Sequence, residues 1–90
     1  MTAGSLLRSA RSMKILVADD HIVLRKGLVQ ILAEAFPEAE FGETGDTTET
    51  LEWLERRSWD LLVLDIFMPG RGGLEVLREA RQRHSRVPVL

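Results

Sequence analysis

The sequence predicts an α/β fold, a parallel sheet of βαβ units in the order β-α-β-α-β-α-β. Two observations carry that reading. Ile15-Leu16-Val17-Ala18 and Leu61-Leu62-Val63-Leu64 are short unbroken apolar runs, the pattern of strands buried on both faces. Between the apolar runs the spacing changes to three- and four-residue steps, the mark of helices with one apolar side. Strands that alternate with helices in this way form parallel pairs with right-handed crossovers. A third observation points at a site. The first run ends in Asp19-Asp20 and the second in Asp65, and the carboxyl ends of strands are where open α/β sheets bind ligands.

Residues 13–18 are the first strand. From Ile22 onward Val23, Leu24, Gly27, Leu28, Ile31, Leu32 and Ala35 form one apolar stripe, with Arg25, Lys26, Gln30 and Glu34 mostly on the other side. Asp20 is placed to cap this helix, because its carboxylate can accept from free N–H groups of the first turn. Pro37 disfavours helix at Phe36 and ends it. Gly27 costs about 1 kcal/mol against Ala in a helix, and close approach of the sheet is the expected reason. Residues 38–44 alternate weakly and read as a short edge strand. Asp46 or Thr47 caps a second helix, with Thr50, Leu51, Leu54 and Trp53 inward and Glu52, Glu55, Arg56 and Arg57 in solvent. Ser58-Trp59-Asp60 turns into the strand of Leu61 to Leu64. Residues 68–73 form a loop. Leu74, Val76, Leu77, Ala80 and Arg81 then give a third helical stripe, with Glu75, Arg78, Glu79 and Arg83 exposed and His84-Ser85-Arg86 closing it. Val87-Pro88-Val89-Leu90 begins a fourth strand, with Pro88 near its start, where a missing N–H is tolerated.

Ninety residues allow one small domain with a single core. A net charge of −2 gives no support to nucleic-acid binding through bulk basicity. The absence of cysteine excludes disulfides and thiolate metal sites and fits a reducing compartment, expected to be the cytoplasm. No apolar run approaches the roughly 18 residues of a membrane span, so no membrane partner is expected. Residues 1–12 carry Arg8 and Arg11, no acid and only Leu6-Leu7 as an apolar pair, too little for a signal peptide. They read as a disordered or frayed tail before a domain of residues 13–90.

If the first and third strands are neighbours, as in the flavodoxin-like order 2-1-3-4-5, then Asp19, Asp20 and Asp65 meet at the switch point. Two carboxylates about 4 Å apart repel by about 4 kcal/mol at an effective dielectric near 20. Three require either a retained proton or a cation. Mg²⁺ suits such a set, since it takes carboxylate and carbonyl oxygens and keeps several waters. It would also let an anionic phosphoryl group approach Asp65, and a carboxylate is a competent nucleophile toward phosphorus. Any one of these acids alone is more often a cap or turn residue. The convergence of three, with Met68-Pro69-Gly70 following, carries the reading.

Three segments quoted together resemble the receiver domain of bacterial two-component response regulators. They are residues 15–21 (ILVADDH), residues 61–70 (LLVLDIFMPG) and residues 73–77 (GLEVL). Asp19-Asp20-His21, with Leu24-Arg25-Lys26-Gly27-Leu28 after it, is similar in particular to the NarL/FixJ (LuxR-type) subfamily. The resemblance implies a CheY-like doubly wound parallel sheet, with Asp65 accepting a phosphoryl group from a sensor histidine kinase. It implies Mg²⁺ held by Asp19, Asp20, Asp65 and the backbone carbonyl of Phe67, Asp19 acting mostly through water. It also implies, in the intact protein, a DNA-binding output domain that controls transcription. The family pattern continues past a fourth strand with a hydroxyl residue, a helix, a fifth strand ending in lysine and a last helix. The present sequence holds only Lys14 and Lys26 and ends at Leu90. The expectation is therefore an incomplete sheet, weak Mg²⁺ binding, poor phosphorylation, an uncovered apolar face beside the first helix, and self-association through the last strand.

Other residues read more plainly. His21 is a helix-start histidine near the site rather than a ligand. Arg71 is a loop arginine, and Trp53 and Trp59 are packing residues. Gly72-Gly73 lacks the pattern of a phosphate loop. An aspartyl-nucleophile phosphatase would need an acid two residues past Asp65, where Phe67 stands, so the chain is not expected to be an enzyme. A receiver-like scaffold that is not efficiently phosphorylated is the alternative, and the presence of all three acids argues against it.

Overall fold

β1 (Lys14–Ala18) is the central strand, and a computed structural model describes it together with residues 13–68, 72–82 and 87–90. Its apolar run is buried throughout, with Ile15, Leu16 and Val17 wholly shielded. α1 (Ile22–Ala35) follows, then β2 (Glu40–Thr44), α2 (Thr47–Arg56), β3 (Leu61–Leu64) and α3 (Gly73–Gln82). The sheet is parallel, in the order β2-β1-β3. Residues 87–90 extend it beyond β3 through a parallel bridge from Leu62 to Val89. Leu62 N–H donates to the Pro88 carbonyl at 2.9 Å, and Leu90 N–H donates to the Leu62 carbonyl at 2.8 Å. Pro88 thus contributes its carbonyl to the ladder, and its missing N–H costs nothing there. The order 2-1-3 with the last segment outside β3 is the one the sequence predicts.

Period-two alternation divides the side chains of β1 between two layers. Leu16 and Ala18 join Trp59, Leu62, Met68 and Val87 in the core, with Trp53 and Leu54 of α2 packed against them. α2 and α3 touch one another on this side. Val17 and Val63 point to the opposite face, where they meet Leu24 and Leu28 of α1 around a cavity of about 330 Å³.

Local signals account for the helix ends. Asp46 caps α2, its Oδ1 accepting from the Glu49 N–H at 2.8 Å, while Glu49 Oε1 accepts from the Gly45 N–H at 3.0 Å. Phe36 ends α1 as expected from Pro37, donating its N–H to the Leu32 carbonyl.

Several expectations fail. Asp20 does not cap α1: His21 holds that position, without a side-chain capping bond. Gly27 meets no neighbour within 4 Å of where a Cβ would stand, so close approach of the sheet is not its reason. The apolar stripe of α1 is only half used. Leu28 and Leu32 are half-buried, whereas Ile22, Val23, Leu24 and Ile31 are exposed, Val23 to 87%. Among the described residues no second helix covers that face, which agrees with the uncovered surface the sequence implied. Leu74, expected inward, is also exposed, while Val76 and Ala80 are buried. The predicted tail of residues 1–12, Pro69-Gly70-Arg71, and the residues 83–86 that were to close α3 lie outside the described residues.

Candidate functional site

The carboxyl ends of β1 and β3 are level. Their register runs through Ala18 and Leu64, and the ladder continues one step as Asp65 N–H donates to the Ala18 carbonyl at 2.9 Å. Asp19 N–H donates to the Thr44 carbonyl at 3.0 Å, which ties the same edge to β2. The buried apolar runs therefore fix where the two acids stand, and Asp20 follows in the loop before α1. One oxygen or nitrogen from each of Asp19, Asp20, His21 and Asp65 lies within 4.8 Å of all the others. The three acids named from the sequence thus do converge.

The backbone orients two of the carboxylates. Asp65 Oδ1 accepts from the Phe67 N–H at 2.9 Å, a local turn that fixes the carboxylate over the strand end. Asp19 Oδ1 accepts from the His21 backbone N–H at 2.9 Å, and the His21 ring nitrogen Nδ1 lies at the same distance. That nitrogen is also 3.2 Å from Asp20 Oδ1 and 3.7 Å from Asp65 Oδ2. Asp20 Oδ1 is shielded from solvent and accepts no hydrogen bond among the described residues.

Electrostatics follow from this crowding. Burial alone would push the Asp19 carboxyl up, but the backbone and ring hydrogen bonds from His21, with its charge, hold it below the ordinary value. His21 moves the opposite way, raised by its bond to Asp19 and then by the nearby charge of Asp20.

The sequence reading missed Arg25, assigned to the solvated side of α1. Its side chain is only 15% exposed. Nη1 donates to the Asp19 carbonyl at 2.8 Å and lies 3.4 Å from the Thr44 carbonyl, while Nε donates to Glu43 Oε1 at 3.0 Å. Gly73, read from the sequence as a loop glycine, is instead the first residue of α3. A Cβ there would collide with Ile66 Cα and stand 2.8 Å from the Asp65 carbonyl, so α3 can start against the end of β3 only with glycine. Phe67, expected to offer its carbonyl, exposes 86% of its surface and lines the mouth of the cavity beside Asp65.

A parallel α/β sheet with clustered acids at adjacent central strand ends defines a class, the doubly wound proteins that carry their site at the switch point. The chain belongs within that class to the response regulator receiver domain family, whose model matches residues 15–90. It is 38% identical over 69 residues to the nitrate/nitrite response regulator protein NarL of Escherichia coli (strain K12), covering 77% of this chain and 32% of NarL. It is 34% identical over 80 residues to the cyclic di-GMP phosphodiesterase response regulator RpfG of Xanthomonas campestris pv. campestris (strain 8004), covering 87% of this chain and 21% of RpfG. The chain thus spans about a third or less of either protein. Among solved structures it resembles the response regulator protein TrrA from Thermotoga maritima in complex with Mg²⁺-BeF. That match has a TM-score of 0.78 and 34% identity, and covers 86% of this chain and 65% of that one. TrrA in complex with the histidine kinase ThkA matches with a TM-score of 0.76 over the same shares. No helix among the described residues is long and apolar enough to cross a membrane.

Proposed function

We propose that this chain is a phosphoacceptor module, in which Asp65 takes a phosphoryl group from the phosphohistidine of a sensor histidine kinase. The observation that carries the reading is the meeting of Asp19, Asp20 and Asp65 within 4.8 Å at one strand edge. The donor set fits Mg²⁺. It is rich in carboxylate oxygen, as a hard divalent ion requires, and Asp20 Oδ1 is shielded with no hydrogen bond to satisfy it among the described residues. Asp19, Asp20, Asp65 and the Phe67 carbonyl are the residues that would hold it. When bound, the ion would offset charge on the transferring phosphoryl oxygens. TrrA, similar in fold and sequence, is described in complex with Mg²⁺-BeF and with a histidine kinase, which supports both partners.

The chain's own residues do the rest. The Phe67 N–H holds one Asp65 oxygen, so the carboxylate faces an incoming phosphorus in a fixed orientation. A carboxylate oxygen forms the new P–O bond as the P–N bond to the kinase imidazole breaks, and that electron pair returns to the nitrogen. Arg25 holds the Asp19 carbonyl and so positions the acidic loop. In this reading the chain is a cytoplasmic signalling module rather than an enzyme. A longer protein containing it would pass the signal to a DNA-binding output domain, and residues 87–90 offer a strand edge for self-association.

Acetyl phosphate with Mg²⁺, followed by intact mass, tests the proposal. The expected result is a slow and partial gain of one phosphoryl group that chelation abolishes and that Asp65→Asn lacks. A gain that persists in Asp65→Asn would overturn the assignment of the acceptor. Mg²⁺ binding with no mass gain would favour the scaffold reading.

A further inference from the structure

We propose that His21 is an exchangeable occupant of the acidic pocket, its ring competing with Mg²⁺ for the carboxylates, so that cation entry requires the ring to leave. The inference rests on the metal-centred reading above and adds the residue that sets the affinity of that site.

The geometry of one atom carries the argument. His21 Nδ1 lies 2.9 Å from Asp19 Oδ1, 3.2 Å from Asp20 Oδ1 and 3.7 Å from Asp65 Oδ2, one oxygen of each acid. A nitrogen that directs a hydrogen at a carboxylate offers the site no lone pair, so here the ring is not a ligand but a donor filling the place of one. Mg²⁺ prefers oxygen and would not recruit the imidazole in exchange. The two occupants therefore use the same oxygens.

Among the described residues the polar partners of the ring are these carboxylates alone. The His21 side chain is 65% exposed, so its departure disrupts little packing. As the N-cap residue of α1 it makes no side-chain capping bond, so the helix loses nothing when the ring swings out. The backbone N–H of His21 still holds Asp19 Oδ1 at 2.9 Å, so the acid keeps its orientation after the exchange. The apparent affinity for Mg²⁺ is then the intrinsic affinity scaled by the fraction of molecules with the ring out.

Calorimetric titration of Mg²⁺ into the 90-residue chain and into His21→Ala and His21→Phe tests this. Removing this mostly exposed hydrogen bond is expected to tighten Mg²⁺ binding in both variants by about three- to tenfold. His21→Phe keeps a ring of similar size but no donor, so tightening there assigns the effect to the nitrogen rather than to bulk. In the unsubstituted chain the His21 ring resonances should shift along the same Mg²⁺ isotherm. Equal affinities in all three proteins overturn the proposal alone. Weaker binding in the variants makes His21 a ligand and overturns it as well. No Mg²⁺ binding by any of the three overturns the metal reading and this proposal together.

Discussion

Arg25 shows how one side chain can join three elements. Its guanidinium reaches the Asp19 carbonyl at the end of β1, approaches Thr44 at the end of β2, and pairs with Glu43 across from α1. Arg25→Met should destabilise the fold by about 1–3 kcal/mol, because two half-buried acceptors lose their donor, and should weaken Mg²⁺ binding at the loop it holds. Arg25→Lys should not rescue it, since an ammonium cannot reproduce the planar fork. Chemical denaturation with and without Mg²⁺ reads both effects. Burial alone would push the Glu43 carboxyl up, but hydrogen bonds from Lys26 and Arg25, with their charges, hold it low. A depressed folded-state value means the stabilisation is present above the unfolded carboxylate value, about pH 4.3, and is lost as pH falls through the folded one. Glu43→Gln should therefore be less stable than the parent at pH 7, with the gap closing in denaturant melts as acid is added. None of this was legible in the sequence. Periodicity placed Arg25 on the outer side of α1, and two of its three partners lie 18 and 19 residues away on another strand.

At the scale of elements, β2 and α2 are fitted to each other by an absence of atoms. Gly42 in β2 faces Trp53 and Trp59, whose rings stack with centroids 6.0 Å apart. A Cβ on Gly42 would stand 2.5 Å from Trp59 Cη2 and 2.8 Å from Trp53 Cζ3. Gly42→Ala should cost about 1–3 kcal/mol through overpacking and should change tryptophan emission in the folded state, which equilibrium unfolding monitored by fluorescence reads directly. The indole N–H of Trp59 donates to the Trp53 carbonyl at 2.9 Å, so the pair cannot slide apart without losing a polar contact. Both tryptophans were legible as packing residues, and the inner face of α2 was read correctly as Thr50, Leu51, Leu54 and Trp53. The tolerance of an edge strand for glycine was not, because only the three-dimensional neighbour explains it. Asp20 was misread for a related reason. An acid just before a helix is ordinarily a cap, but α1 begins one residue later than that reading needs: His21 stands at the N-cap, and Asp20 sits among Asp19 and Asp65.

Across the whole molecule the sequence was most legible in β1, whose apolar run is buried as expected, whereas β3 is buried only at Leu62, with Leu61, Val63 and Leu64 half-buried rather than shielded on both faces. The runs Ile15 to Ala18 and Leu61 to Leu64 marked two strands, the acids ending them marked the candidate site, and the order 2-1-3 came from the family resemblance. The face carrying α1 was less legible in detail, since the stripe of apolar residues is real but Val23 and Ile31 have nothing to meet among the described residues. The parallel pairing of β1 with β3 has a further consequence for how ligand and fold depend on each other. Asp19 and Asp65 belong to chain segments far apart in sequence and come together only when Ala18 stands opposite Leu64. A slip by a single residue would turn every β3 side chain to the other layer and take Asp65 out of reach. In the proposed reading, cation capture thus presupposes docked central strands, and the unfolded chain has no comparable site to offer. Saturating Mg²⁺, at a hundredfold over its dissociation constant, should then stabilise the native state by about 2.7 kcal/mol. A calorimetric melt of the parent chain should show a raised midpoint with the salt, and Asp65→Asn should show a much smaller rise.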